Sequence, residues 1–330
     1  MKRLIVAAMS CFALLACQVA DAQAQIALAP PLSERPLTLV VPFAAGGGTD
    51  ILARLIGDRL RALTSKTVVI DNKPGANGLV ASQFVEKSRP DGHTLMFGSN
   101  STHVIAPLLS TDKNAMDAVR QKFVLISIIA RTPLVLAVNE NSKFRDLDQF
   151  LAQPNAELTF GTFGVHSSPH LMGALLAAQR GLRLVHVPYR GSSPAVTDLI
   201  GGTLDSVFLT VAAVSSYVEA KQLRALAVTG TQRVSLIPDV PTFQEAGVGG
   251  LENDGWFAVF APAGTPENVV VYLRSKLVEM MAEPGMQAKL QELGLQDAGV
   301  MSGKETDSWD KSVALTQDIL RKTRIDMDGR

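Results

Sequence analysis

The chain has 330 residues, 47% hydrophobic and 19% charged, with 31 Lys+Arg set against 31 Asp+Glu. That length exceeds what one core usually fills, and the apolar share excludes an intrinsically disordered chain. A formal net charge of +0 without a long like-charge run argues against a nucleic-acid partner, so selectivity for any anion must come from local geometry.

Lys2 and Arg3 precede an apolar run from Leu4 to Ala16, too short for a permanent membrane anchor. Ala20-Asp21-Ala22 and Ala22-Gln23-Ala24 offer small-residue cleavage sites, so residues 1–24 read as a signal peptide for export to the periplasm. Leu14-Leu15-Ala16-Cys17 is similar to a bacterial lipoprotein box, which leaves anchoring through Cys17 as the alternative. Cys11 and Cys17 are the only cysteines, and a cleaved chain would have none. Disulfides, thiol nucleophiles and cysteine-held metal are then ruled out.

Leu37 to Val41 is a β-branched and aliphatic run that predicts a strand. Ile51, Leu52, Leu55, Ile56, Leu60 and Leu63 recur at helical spacing, predicting a helix that ends at Thr64-Ser65. Between them lies Pro42-Phe43-Ala44-Ala45-Gly46-Gly47-Gly48-Thr49-Asp50, with Thr49 as the expected N-cap and Asp50 as a first-turn acid. A turn of this kind points backbone N–H groups outward at the positive end of a helix, which suits an anion. It lacks the Lys-Ser/Thr of a P-loop and the G-x-G-x-x-G of a dinucleotide fold, and a plain chain reversal is the alternative reading.

Thr67 to Ile70 predicts a second strand, followed by a turn-rich stretch from Asp71 to Gly78 and an amphipathic helix carrying Val80, Phe84 and Val85. Thr94 to Phe97 predicts a third strand ending in a loop, Gly98 to His103. This strand–helix alternation predicts a parallel sheet. Phe123 to Ile129 and Leu134 to Val138 are apolar runs separated by Arg131-Thr132-Pro133, within one sheet or leading from one domain to the next.

Two similar units follow. Leu158 to Phe160 leads through Gly161 to Ser167 into a helix with Ser168 as N-cap, Pro169 at N1 and Gly181 past its end. Leu184 to Val187 leads through Pro188 to Ser192 into a helix with Ser193-Pro194 as cap and N1. Leu204 to Val211, Ala225 to Val228 and Trp256 to Phe260 predict further strands. Thr265-Pro266-Glu267 opens another helix, and Ser302 with Glu305 reads as a capping box for the last one. Three small-residue turns at helix starts, gathered beyond strand ends, favour a shared binding cleft.

The ordered motifs Val41-Pro42-Phe43-Ala44-Ala45-Gly46-Gly47, Val187-Pro188-Tyr189-Arg190-Gly191 and Asp239-Val240-Pro241-Thr242-Phe243-Gln244-Glu245-Ala246-Gly247 carry a family resemblance. With Asp198-Leu199-Ile200-Gly201-Gly202 and Phe260-Ala261-Pro262-Ala263-Gly264-Thr265-Pro266, the whole chain after the signal segment resembles the Bug-type (Bordetella uptake gene) receptors, the solute receptors of tripartite tricarboxylate transporters. The resemblance implies an α/β type II periplasmic binding protein with a ligand cleft between two α/β lobes. Lobe 1 would comprise 33–131 and 255–330 and lobe 2 would comprise 132–254, with crossings near Arg131-Thr132-Pro133 and Asn253-Asp254-Gly255. It implies a monomer without cofactors that holds a small organic carboxylate. Its partner would be the transporter's membrane subunits, or the periplasmic domain of a sensor kinase.

Carried over position by position, lobe 1 would contribute Phe43, Ala44, Ala45, Gly46, Gly47, Thr49 and Asp50, with Ser99, Asn100 and His103. Lobe 2 would contribute Thr162, Phe163, Gly164, Ser167, Ser168 and His170, with Tyr189, Arg190, Gly191 and Ser192. Leu209 and Thr210 stand where relatives often have an acid or amide, which suggests a less polar wall and a more apolar carboxylate. Ser167, Ser168, His170 and Asp198 could be offered as a hydrolase set, but no G-x-S-x-G elbow accompanies them. His93, His103, His166 and His186 are scattered without a carboxylate pair at metal-ligand spacing. Asp50 has two readings, a group that meets a ligand amine and a stabiliser of the first helical turn.

Overall fold

The computed structural model describes residues 32–252, 255–298 and 305–323. The signal segment with Cys11 and Cys17, the Asn253-Asp254 crossing and the Ser302 half of the expected capping box lie outside these residues. The chain first forms β1 (Leu37–Val41), α1 (Gly48–Thr64), β2 (Val68–Asn72), α2 (Leu79–Glu86) and β3 (Thr94–Ser99). A π-helical turn, Ser101–Ile105, then leads to α3 (Ala115–Lys122) and the long β4 (Phe123–Thr132). A second series runs β5 (Leu134–Asn139), α4 (Leu147–Leu151), β6 (Glu157–Thr162), α5 (Ser168–Arg180), β7 (Arg183–Pro188), α6 (Ser192–Ile200), β8 (Ser206–Thr210), α7 (Val211–Glu219) and β9 (Leu223–Val228). The chain closes with β10 (Gly255–Pro262), α8 (Glu267–Met281), α9 (Pro284–Glu292), β11 (Gln296–Asp297) and α10 (Glu305–Thr323).

Among the described residues two sheets form, a six-stranded one in the order β11-β4-β10-β3-β1-β2 and a five-stranded one in the order β7-β6-β8-β5-β9. They are the centres of two α/β lobes. The first three strands, whose alternation with helices predicts a parallel sheet, do run parallel, but neither sheet is parallel throughout. β1 runs parallel to β2 and β3, but β10 pairs antiparallel with both β3 and β4, and β5 is antiparallel to β8 and β9. The reason is connectivity: β10 arrives from the other sheet without a crossover helix of its own, so nothing forces the parallel direction.

β4 ends in one sheet at Thr132 and β5 starts in the other at Leu134, with Pro133 between them. Proline lacks the N–H that a continuing ladder needs. Gly255, where the chain re-enters the first sheet, pairs with Thr132. A Cβ at Gly255 would lie 2.7 Å from Thr132 Cγ2, so the two strands pass side by side only because position 255 has no side chain.

Each face of the second sheet has its own apolar cluster, one including Leu136, Phe160, Phe208 and Leu171, the other Val135, Val207, Leu209 and Val196. Val40, Met96, Phe260 and Trp309 centre a cluster in the first lobe. Burial of each such side chain is worth roughly 1.5–3 kcal/mol. α10 serves both lobes: Trp309 and Val313 pack in the first-lobe cluster, and Ile319 packs with Phe160 and Leu171 in the second.

Several local expectations need correction. α2 buries Ala81 and Val85, whereas Val80 and Phe84 face outward, with Lys73 Nζ 4.1 Å from the Phe84 ring centroid. The 99–103 segment is a strand end followed by the π-helical turn, not a loop. The helix caps lie one or two residues earlier than the sequence suggests. α1 is capped by Gly47 in place of Thr49, α5 by Ser167 in place of Ser168, α6 by Gly191 in place of Ser193. Before α8, Thr265 Oγ1 donates to Pro262 O and Pro266 occupies the cap position. Gly181 closes α5 at φ 63, as expected of a helix-ending glycine.

Candidate functional site

The glycine loop between β1 and α1 is exposed from Ala44 to Gly48, with Phe43 and Thr49 half-buried. Its anchor is Asp50. One carboxylate oxygen accepts from Gly46 N at 2.9 Å and Arg54 Nε at 2.9 Å, and the other accepts from Asn72 Nδ2 at 2.9 Å. Asn72 also donates to Phe43 O at 3.1 Å, tying the far end of the loop to β2. Burial alone would raise the Asp50 pKa, but the bonds from Arg54, Gly46 and Asn72, with the Arg54 charge, hold it below the ordinary carboxylate range. Asp50 is 2% exposed with both oxygens engaged, so it shapes the loop and does not offer a carboxylate to a ligand amine. Gly46 N–H is likewise committed. α1 itself begins without a side-chain cap hydrogen bond at Gly47.

The 162–170 segment satisfies its own polar groups. Thr162 Oγ1 meets His186 Nε2 at 2.7 Å and donates to Gly164 O, while Ser167 Oγ donates to Gly164 O at 2.6 Å. His170 Nδ1 accepts from His166 N at 3.1 Å, and the His170 ring stacks on His186 with centroids 3.6 Å apart. Burial, then the neighbouring imidazoles, lowers the His170 pKa to about 3; burial and His166 lower that of His186 to about 4. Both rings are therefore neutral at physiological pH. The first turn of α5 has its donors engaged as well: Ser168 N reaches Ser101 Oγ at 3.1 Å, Pro169 has no N–H, and His170 N points to Ser167 Oγ at 3.4 Å. Of the three helix starts expected to face a ligand, this one is closed off.

α6 is different. It opens at Gly191, φ 130, without a side-chain cap hydrogen bond, and Arg190 beside it is exposed. Tyr189 donates from Oη to Asp198 Oδ2 at 2.6 Å and from its backbone N–H to Thr162 O at 2.9 Å. Burial and then Asp198 push the Tyr189 hydroxyl up to about 12. With Asp198 taken by Tyr189 and His170 Nδ1 by the backbone, the suspected hydrolase set is not assembled.

Cross-lobe contacts bring the two sets of turns together. The Phe43 and Phe163 rings meet edge to face at 6.1 Å, and Asn77 Nδ2 donates to His166 O at 3.1 Å. Deeper in, Ser168 Oγ donates to Asn100 Oδ1 at 3.0 Å, and Asn100 Oδ1 also accepts the Trp256 N–H at 3.3 Å. Phe43 to Thr49, Phe163 and Gly164 thus share one region, and the hydrogen bond from Tyr189 N to Thr162 O places Arg190, Gly191 and Ser192 beside it. Ser99, Asn100 and Ser168 are buried polar residues at its base, and Thr162 and Ser167 are fully buried within their own loop.

Two expected site residues lie elsewhere. His103 is 0% exposed, stacks on Phe260 at 4.0 Å and bonds Thr102 Oγ1 through Nδ1 at 2.8 Å. Burial lowers its pKa to about 3, so it is a neutral core histidine. Leu209 is 0% exposed within the apolar cluster of the second sheet, which removes the basis for a ligand wall there; Thr210 is half-buried at the strand end. Sequence reasoning missed Asn77, whose only signal was its place in a turn-rich stretch.

The family model described as Tripartite tricarboxylate transporter family receptor matches residues 52–322. A UPF0065 protein encoded in the tcbD-tcbE intergenic region of Pseudomonas sp. (strain P51) is 39% identical, over 84% of this chain and 85% of that protein. Among solved structures, R. palustris Rpa4515 with adipate is 31% identical with a TM-score of 0.83, covering 88% of this chain and 98% of that one. The periplasmic binding protein BugD is 28% identical with a TM-score of 0.79, covering 89% of this chain and 99% of that one. The chain belongs to the tripartite tricarboxylate transporter receptors of the Bug type, and is a solute-binding receptor, not an enzyme.

Proposed function

We propose that this receptor captures a small organic carboxylate between its lobes, in the periplasm after removal of residues 1–24, and hands it as a monomer to the membrane subunits of a tripartite transporter. The supporting observation is that α1 and α6, from different lobes, both start without a side-chain cap while the Phe43–Phe163 contact draws their loops together. The N-terminus of a helix carries about half a positive charge, and its first amides lack helical partners. A carboxylate placed there accepts from Gly47, Gly48 and Thr49 on one side and from Ser192 and Ser193 on the other, and Arg190 adds positive charge at the edge. The lobes turn about the paired crossings at Thr132 and Gly255, and a ligand bound to both sides favours the closed form that the transporter reads. The adipate held by the R. palustris relative fits this chemistry.

A calorimetric screen of organic acids, adipate included, tests the reading. Saturable one-site binding of at least one carboxylate, lost when the acid is converted to its amide, is the expected result. Equal affinity for acid and amide would contradict it.

A further inference from the structure

Residues 75 to 78 share an unusual conformation. Gly75, Ala76, Asn77 and Gly78 all have positive φ, at 138°, 45°, 48° and 91°. Side chains rarely adopt these angles, because Cβ crowds the neighbouring carbonyl. In the described residues, five non-glycine positions have positive φ: Ser65, Ala76, Asn77, His166 and Lys221. Ala76, Asn77 and His166 meet at one place, where Asn77 Nδ2 donates to His166 O across the lobes. The left-handed turn is held from below: a Cβ at Gly78 would stand 2.5 Å from Thr102 Cγ2 and 3.2 Å from Pro42 Cβ. It therefore sits directly against the root of the glycine loop. On the opposite side, His166 at φ 54° is fixed by its N–H bond to the buried His170 ring.

Backbone conformations of this kind persist only where the surroundings over-determine them, and they gather at clamps and switches. We infer that Asn77 is the positioning residue that holds the rim of the two lobes together, through its single side-chain amide bond to His166 O, independently of ligand. The Ser101–Ser168–Asn100 bonds hold the buried base; the Asn77 bond is half-exposed and, beside the Phe43–Phe163 ring contact, is the hydrogen bond at the open edge that breaks when the lobes part. This goes beyond the proposed function: it concerns lobe closure, whatever ligand is held.

The test compares wild type with Asn77→Gly and Asn77→Asp. Glycine removes the amide while accepting the positive φ; aspartate sets a carboxylate oxygen against the His166 carbonyl. X-ray scattering of the unliganded proteins is expected to give a larger radius of gyration for both variants, more so for Asn77→Asp. The melting temperature of Asn77→Gly should be unchanged or higher, which separates loss of the latch from loss of the fold. With adipate as probe, both variants should release it faster by stopped flow. Wild-type radii of gyration and wild-type release rates in both variants would overturn the inference. If adipate binds none of the three proteins, that result bears on which carboxylate is held, and the unliganded scattering by itself decides the latch.

Discussion

The Ser101 and Ser168 hydroxyls lie 2.8 Å apart, both residues buried, one in the π-helical turn after β3 and the other in the first turn of α5. Each lobe thus inserts a small hydroxyl into the other's polar base, and Asn100 Oδ1 completes the network. In Ser168→Ala, Asn100 Oδ1 keeps the Trp256 N–H and Ser101 Oγ keeps the backbone N–H of residue 168, but the Ser101 hydroxyl hydrogen loses its buried acceptor. A buried polar group left unmade costs about 1–3 kcal/mol. Urea unfolding is expected to show a loss in that range, with ligand affinity falling less than stability.

Asp50 is the keystone of the glycine loop, accepting three hydrogen bonds while nearly inaccessible. Asp50→Asn loses the charge-assisted bonds to Gly46 and Arg54; the one from Gly46 N–H is worth about 1.5–3 kcal/mol, and the one from the half-exposed Arg54 adds little because water screens it. The loop should loosen, so carboxylate affinity should drop at least as steeply as stability. Because the folded-state pKa is depressed, the contribution of this group is fully present above the ordinary carboxylate range near pH 4 and is lost as pH falls through the lower folded value. A urea series from pH 6 to pH 2 on both proteins checks this: the variant should lack that part of the acid loss.

His170 and His186 act in the same direction over a different window. Their folded pKa values, about 3 and about 4, lie below the unfolded value near 6.5, so the unfolded chain binds more protons between those limits. Stability is therefore complete above about pH 6.5 and declines as pH falls toward the folded values, by about 1.4 kcal/mol per pH unit for each proton. Burial of both rings is the main cause, and a protonated His170 Nδ1 can in addition no longer accept the His166 N–H. His186→Gln, which can still reach Thr162, is expected to flatten the decline; an unchanged slope would remove the stacked pair as its source.

Much of the fold was legible because ten of the eleven strands among the described residues hold apolar runs, from Leu37–Val41 to Gly255–Pro262, whereas Gln296–Asp297 has no apolar residue to mark it. The glycine loop was legible for a chemical reason, since few segments combine a strand end, three glycines and an acid at N3. What was not legible depends on partners far away in the chain. Val80 and Phe84 outweigh Ala81 in any hydrophobic pattern, yet the left-handed turn before α2 rotates the helix so that small Ala81 faces the core. Ser168 looks like a cap until Ser101, 67 residues earlier, takes its backbone N–H and leaves capping to Ser167. His103 reads as a polar group in a loop, but the π-helical turn directs it onto Phe260. The antiparallel entry of β10 has no local signature at all.

The most direct test removes access to the α1 amides without straining the chain. Gly47 has φ −82° and ψ 167°, angles any residue adopts, and a Cβ there would find only Ala44 O at 3.8 Å. Gly47→Val should therefore fold and melt like wild type while its branched side chain covers the start of the helix. Calorimetric titration with the best-binding organic acid is expected to show at least a tenfold loss of affinity, about 1.4 kcal/mol or more. Wild-type affinity in a normally folded Gly47→Val protein would contradict the assignment of the carboxylate to the glycine loop.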